Sequence, residues 1–186
     1  MGWFSPVKGA YPGLGQVDKT LPTVAGLTVK RGMIVKLAAG DGSDLQKNGV
    51  WDKPSSSNDI LYVALQDSTD PTAGFAGTSF DPKGGVPCIT ALDLNQDAEY
   101  ETDMFDGADS DIATLASKYT IGKALYANAD GLLTDTQGSN TLVGYVTGVP
   151  ASRWINNAIA VPPGQTDQRL AYRTGATKTV LRFKTK

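Results

Sequence analysis

The chain of 186 residues predicts a mainly β protein, a small β-barrel or sandwich with one short helix and extended N- and C-terminal arms. Three observations lead there. Its apolar runs are short and end at Gly, Asp or Pro, which is how strands joined by turns read. The 21 Gly and 10 Pro leave little room for long helices. Only one stretch repeats its apolar residues with a helical period. The expected organisation is an N-terminal extended arm over residues 1–26, a β domain over 27–163, and a basic C-terminal arm over 164–186.

The first 26 residues carry Pro6, Pro12 and Pro22 among several glycines, so neither a strand nor a helical period survives. They also carry Trp3, Phe4 and Tyr11, which a freely solvated tail has little reason to hold. The arm either straps onto its own domain or docks on a neighbouring subunit. Leu27–Ala39 then reads as a strand around Gly32 that ends at Gly40-Asp41-Gly42. A short strand is expected within Asp44–Trp51, and another at Asp59–Gln66. Asp67–Pro87 is a long connection in which Phe75 and Phe80 are the expected anchors.

Cys88–Leu94 and Ala98–Phe105 are the next strands. Asp97, Glu99, Glu101 and Asp103 alternate with Ala98, Tyr100, Thr102 and Met104, so the four carboxylates share one face. The helix is expected over 110–119, with Ser110 at its cap and apolar residues at Ile112, Leu115, Ala116 and Tyr119. A three-stranded meander follows: Thr120–Ala127, a turn at Asp130-Gly131, Leu132–Thr134, a polar loop, and Leu142–Val149. Its order echoes the earlier part of the chain. Gly32-Met-Ile-Val-Lys-Leu matches Gly122-Lys-Ala-Leu-Tyr-Ala, and Ile60–Leu65 takes the place of Leu142–Val149. Such a repeat predicts two similar sheets that form one barrel or sandwich. Ala158–Val161 returns to the sheet, and Pro162-Pro163-Gly164 ends the domain.

Composition removes several chemistries. There is no histidine, hence no Ser-His-Asp or Cys-His arrangement and none of the commonest metal ligand. Cys88 stands alone, so no internal disulfide forms, and a zinc site would need an all-carboxylate shell. Gly122-Lys123 fails as a phosphate loop because Ser117 and Ala124 stand where Gly and Ser or Thr are required. The Asp103–Asp111 segment is calcium-loop-like in composition, yet no register satisfies the EF-hand pattern. No cofactor and no enzymatic activity are expected, a carboxylate-pair hydrolase being the remaining enzymatic alternative. No run reaches the ~18–20 apolar residues of a membrane helix, and the first residues lack a secretory leader's basic and apolar regions.

Charge is segregated. Residues 41–111 hold 15 acidic and 3 basic side chains, whereas the ends are basic. In the C-terminal stretch Lys178, Val180, Arg182, Lys184 and Lys186 alternate with Thr179, Leu181, Phe183 and Thr185, and Arg169 and Arg173 precede them. Four like charges on one strand face repel unless something screens them. The basic strand is therefore the expected counterpart of the acidic one, supplied by the same chain or by a neighbour. The acidic middle argues against a general nucleic-acid binder.

These pieces together resemble the capsid decoration (head-stabilising, or cement) proteins of tailed bacteriophages. The resemblance runs over residues 27–150. It lies in Val29-x-x-Gly32-x-x-Val35, the Ile60–Leu65 strand, Tyr100-Glu-Thr-Asp103-x-Phe105, Tyr119-Thr-Ile-Gly122-x-x-Leu125, Gly131-Leu-Leu133-Thr and Leu142-Val-Gly144-Tyr-Val146. It implies a non-enzymatic protein made in the bacterial cytoplasm and carried on the virion, where it binds the major capsid protein. It also implies a homo-oligomer, a trimer before a dimer, that bridges capsomers. The interface would then fall on Trp3, Phe4, Tyr11, Asp97, Glu99, Glu101, Asp103, Arg169, Arg173, Lys178, Arg182, Lys184 and Lys186. The rival reading is another virion surface component, such as a tail protein or carbohydrate-binding adhesin, presenting Trp51, Tyr100 or Trp154 in a groove.

Overall fold

A computed structural model describes residues 4–8, 18–43, 46–65, 67–68, 88–94, 98–160 and 172–186, with side chains except at 5–8, 18–19, 155–160 and 172–176. The strands are β1 (Phe4–Lys8), β2 (Asp18–Pro22), β3 (Ile34–Ala38), β4 (Val50–Asp52), β5 (Leu61–Ala64), β6 (Cys88–Asp93) and β7 (Glu99–Thr102). After helix α1 (Ile112–Lys118) come β8 (Ala124–Ala127), β9 (Leu133–Thr134), β10 (Thr141–Ala160) and β11 (Tyr172–Thr185). They form two antiparallel sheets, ordered β1-β7-β11-β10-β8-β9 and β2-β6-β5-β3-β4. The architecture is a sandwich and not a closed barrel.

The repeat read from the sequence is a repeat of wiring. In chain order the second sheet uses five consecutive strands, and its first strand lies beside its last. The strands from β7 onward follow the same scheme, with β1 added at the outer edge. Equivalent backbone hydrogen bonds mark the two copies. Gly32 N–H donates to Ala64 O at 2.7 Å and Gly122 N–H to Val146 O at 2.8 Å. The return bonds, Ala64 N–H to Met33 O and Val146 N–H to Lys123 O, are both 2.9 Å.

Alternation along the strands decides where the core sits. Leu61 and Val63 of β5 join Leu92, Tyr100, Leu125, Val146, Leu181 and Phe183 between the sheets. Tyr62 and Ala64, on the other face of β5, join Val29, Met33, Val35, Trp51 and Ile89 in a second cluster. Sheet two is thus buried on both faces, while sheet one turns one face to the core. Gly131 joins the layers. Its carbonyl accepts from Ile34 N–H at 2.8 Å. A Cβ there would stand 2.6 Å from Ile34 O, and its φ of +75° also favours glycine.

Several expected boundaries moved. The strand around Gly32 begins only at Ile34, because residues 31–32 form a turn, and residues 121–122 do the same before β8. The helix is capped by Asp111, not Ser110. The Asp111 carboxylate accepts from Thr114 N–H at 3.0 Å, whereas Ser110 N–H bonds back to Gly107 O at 2.8 Å. The described parts of both ends, Phe4–Lys8, Asp18–Pro22 and Tyr172–Thr185, are strands of the two sheets. Phe75, Phe80 and the Pro162–Gly164 boundary lie outside the described residues.

Candidate interaction surface

The feature that separates this molecule from a plain sandwich is the β10–β11 hairpin. β10 spans 20 residues and β11 spans 14. On one side, β10 meets β8 from Thr141 to Tyr145, and Val146 bonds the backbone of Lys123. On the other side, β11 meets β7 from Leu181 to Lys184. Beyond these points Ala151–Ala160 and Tyr172–Val180 pair, among the described residues, only with each other. Ten residues at about 3.3 Å each give this ribbon a length of roughly 30 Å, and its first part, with Arg153 and Lys178, lies against Glu101 and Asp103 of the body. The expected strand ended at Val149, because Pro150 reads as a terminator. The structure absorbs Pro150 in an irregular stretch between the Gly148↔Arg182 and Ala151↔Val180 pairs, where the ladder is already broken.

The ribbon leaves the body at a cluster of ion pairs. Arg182 stands opposite Glu101 across the β7–β11 ladder. Its Nε and Nη2 donate to Glu101 Oε1 at 2.9 and 2.6 Å, and Arg153 Nη2 of the ribbon adds a contact at 3.3 Å. Lys178 pairs with Asp103, and Thr147 Oγ1 donates to Glu99 Oε1 at 2.6 Å. Glu101 and Asp103 are 8% and 7% exposed, too little for water alone to solvate a carboxylate. Buried charge of this kind is tolerated when it is paired and hydrogen-bonded. Gly148 makes the approach possible, since a Cβ there would lie 3.2 Å from the Arg182 Cβ.

The acidic and basic strands that the alternation matched are therefore neighbours within one chain. Four of the named residues, Trp3, Tyr11, Asp97 and Arg169, lie outside the described residues. Arg173 is described only as backbone within β11. Phe4 is buried in its own chain, 2% exposed and stacked on Tyr100 with ring centroids 4.8 Å apart. Glu101 and Asp103 are likewise occupied internally. Lys184 and Lys186 are exposed. Sequence reading missed Arg153 and Thr147 as partners of the acidic strand. Only a hairpin register, invisible in composition, brings residues 147 and 153 back over residues 99 and 101.

A cleft of about 800 Å³ opens at the foot of the ribbon, bordered by Lys30, Met33, Asp103, Asp109, Thr177 and Lys178. Asp103 in its wall and two acids beside it have other duties. Asp103 holds Lys178, and nearby Asp106 accepts from Lys118 Nζ at 2.8 Å while Asp111 caps the helix. Among the described residues no group of three or more Asp, Glu or Cys is placed to hold a metal ion. Of the groove candidates, Trp51 and Tyr100 are fully buried, and the Trp51 indole donates to Ile89 O at 2.9 Å. Trp154 is 66% exposed on the ribbon. No family model, curated protein or solved structure matches the chain.

Proposed function

We propose that this protein is a structural component of a tailed-phage virion, one that binds the outer surface of the capsid and bridges neighbouring capsomers. The observation that carries the reading is the β10–β11 ribbon, a long two-stranded projection rooted in the sandwich by buried ion pairs. A projection of that length suits spanning from one subunit to another. A root held by charge-assisted hydrogen bonds suits holding its direction under load. The resemblance over residues 27–150 supplies the capsid as the surface. Weak contacts suffice there, because a lattice repeats each of them many times. Of the three groove residues of the adhesin alternative, Trp51 and Tyr100 are internal and Trp154 is exposed.

The test is co-sedimentation with expanded capsid shells stripped of surface proteins. Saturable binding at a fixed ratio to the capsid subunit, together with greater resistance of the shell to heat, is the expected result. Binding that never saturates, or none at all, refutes the proposal.

A further inference from the structure

A β-sheet edge is a row of unpaired N–H and C=O groups, and proteins guard such edges with Pro, charge or brevity. Among the described residues there are six sheet edges, two outer strands in each sheet and the two sides of the ribbon, and the four outer strands are guarded in that way. β1 carries Pro6 and Lys8, and β2 carries Asp18, Lys19 and Pro22. β4 has 3 residues and β9 has 2. The fifth edge belongs to β10 beyond the body. Ala151–Ala160, ASRWINNAIA, has one charged residue, no proline and no acid. The other edge of the ribbon, on β11, carries Arg173 and Lys178, and Lys178 is already tied to Asp103.

We infer that the β10 edge over residues 151–160 is a self-association site that pairs antiparallel with the same edge of a second copy. Two arguments select that occupant. A two-stranded ribbon is at best marginally stable in water, and a second ribbon makes it a four-stranded sheet. The edge has almost no charge with which to choose a charged partner, while two copies of it meet with little like-charge cost. Antiparallel pairing of identical strands is two-fold symmetric, so it closes at a dimer and leaves no further unguarded edge. Trp154, at 66% exposure, lies on this stretch and gains apolar cover when the edges meet. The resulting dimer differs from the trimer that the family resemblance implies. It stands independently of the capsid reading.

Sedimentation equilibrium of the full chain over a concentration series tests it. The unaltered protein is expected to approach twice the chain mass as concentration rises. The double variant Ile155→Lys, Ile159→Lys should stay at one chain mass, while Thr174→Lys, Thr177→Lys on the opposite edge should dimerise as before. Near-ultraviolet circular dichroism checks that each variant keeps its sandwich. Hydrogen exchange on the unaltered chain needs no substitution: amides in 151–160 should gain protection with concentration, and those in 172–180 should not. A monomer at every concentration, a trimer, or a dimer that survives the Ile155 and Ile159 changes overturns the inference.

Discussion

The two halves of the sandwich share one wiring scheme and use it differently. In β2 to β6 the central strand is covered on both faces, all four residues of β5 being buried. In β7 to β11 the patterns differ from strand to strand: β8 alternates i-B-i-B, whereas β7 buries Tyr100, Glu101 and Thr102 in succession. The doubly covered half has apolar residues at successive positions, Leu61, Tyr62, Val63 and Ala64. The second half carries charged side chains on facing positions of β7 and β11, with Arg182 opposite Glu101 and Lys184 opposite Glu99. Its last hairpin then runs on into the ribbon. The lesson is that duplication of connectivity built the scaffold, whereas the side-chain period decided which half faces outward and became free to extend.

The most damaging way to break this division is to attack what the halves share. Tyr100→Ala removes a fully buried ring that touches both Phe4 and Phe183. It should cost about 3–5 kcal/mol, read as a drop in the urea midpoint with both halves unfolding together. If spectroscopic probes in the two halves separate in the unaltered protein, the single-core view fails.

The next effect tests the equivalence of the two copies. Gly122 and Gly131 both have positive φ, but a Cβ at Gly122 meets nothing within 4 Å. Gly122→Ala should therefore cost about 1 kcal/mol, from backbone strain alone. Gly131→Ala should cost more, roughly 2–3 kcal/mol, because the Ile34 carbonyl must also move. Equal losses in chemical denaturation would show that Gly131 is not a layer-to-layer contact point.

Glu101→Ala addresses the ribbon root. Removing one member of a buried ion pair is costly, yet Arg153 and Arg182 are partly exposed and regain water, so about 1–2 kcal/mol is expected. The loss should shrink in high salt, where the unaltered cluster is itself screened. A salt-independent loss would assign Glu101 a packing role instead.

A smaller effect appears in acid. Burial by itself pushes the Asp59 carboxyl up. The Ser55 and Ser56 N–H groups, the Ser56 hydroxyl and nearby Lys36 outweigh it and hold the pKa below 3.8. A depressed carboxylate contributes stability above its unfolded pKa, and that contribution is lost as pH falls through the lower folded value. Asp59→Asn should therefore lower stability at neutral pH and flatten the decline below pH 3.8 in a thermal-melt series. Smallest of all, Trp154→Ala should leave the stability of the sandwich within about 0.5 kcal/mol. A large loss there would mean that the ribbon and body are one packed unit.

Much of this was legible from residue order. The alternation of Glu99, Glu101 and Asp103 against that of Lys178 to Lys186 named the pair of strands that the β7–β11 ladder brings together. The Gly32 and Gly122 turns named the duplicated scheme. Other features were not legible, each for a local reason. Pro150 hid the length of β10, because proline stops a regular ladder but not one already broken by bulges. Whether Phe4 straps onto its own domain or docks on a neighbour was open in the sequence, because an aromatic residue in a Pro/Gly-rich stretch has no period to say what it faces.

Sequence alone determined the β class, the absence of histidine chemistry, the turn positions and the charge blocks, since period and residue type act locally. Tertiary structure alone decided that the acidic strand is paired with basic side chains of its own chain, that β5 is covered on both faces, and that the β10 edge beyond the body has no strand partner among the described residues. Those facts depend on register and on which strand ends outermost. Contacts between residues many positions apart set both, and no local pattern encodes them.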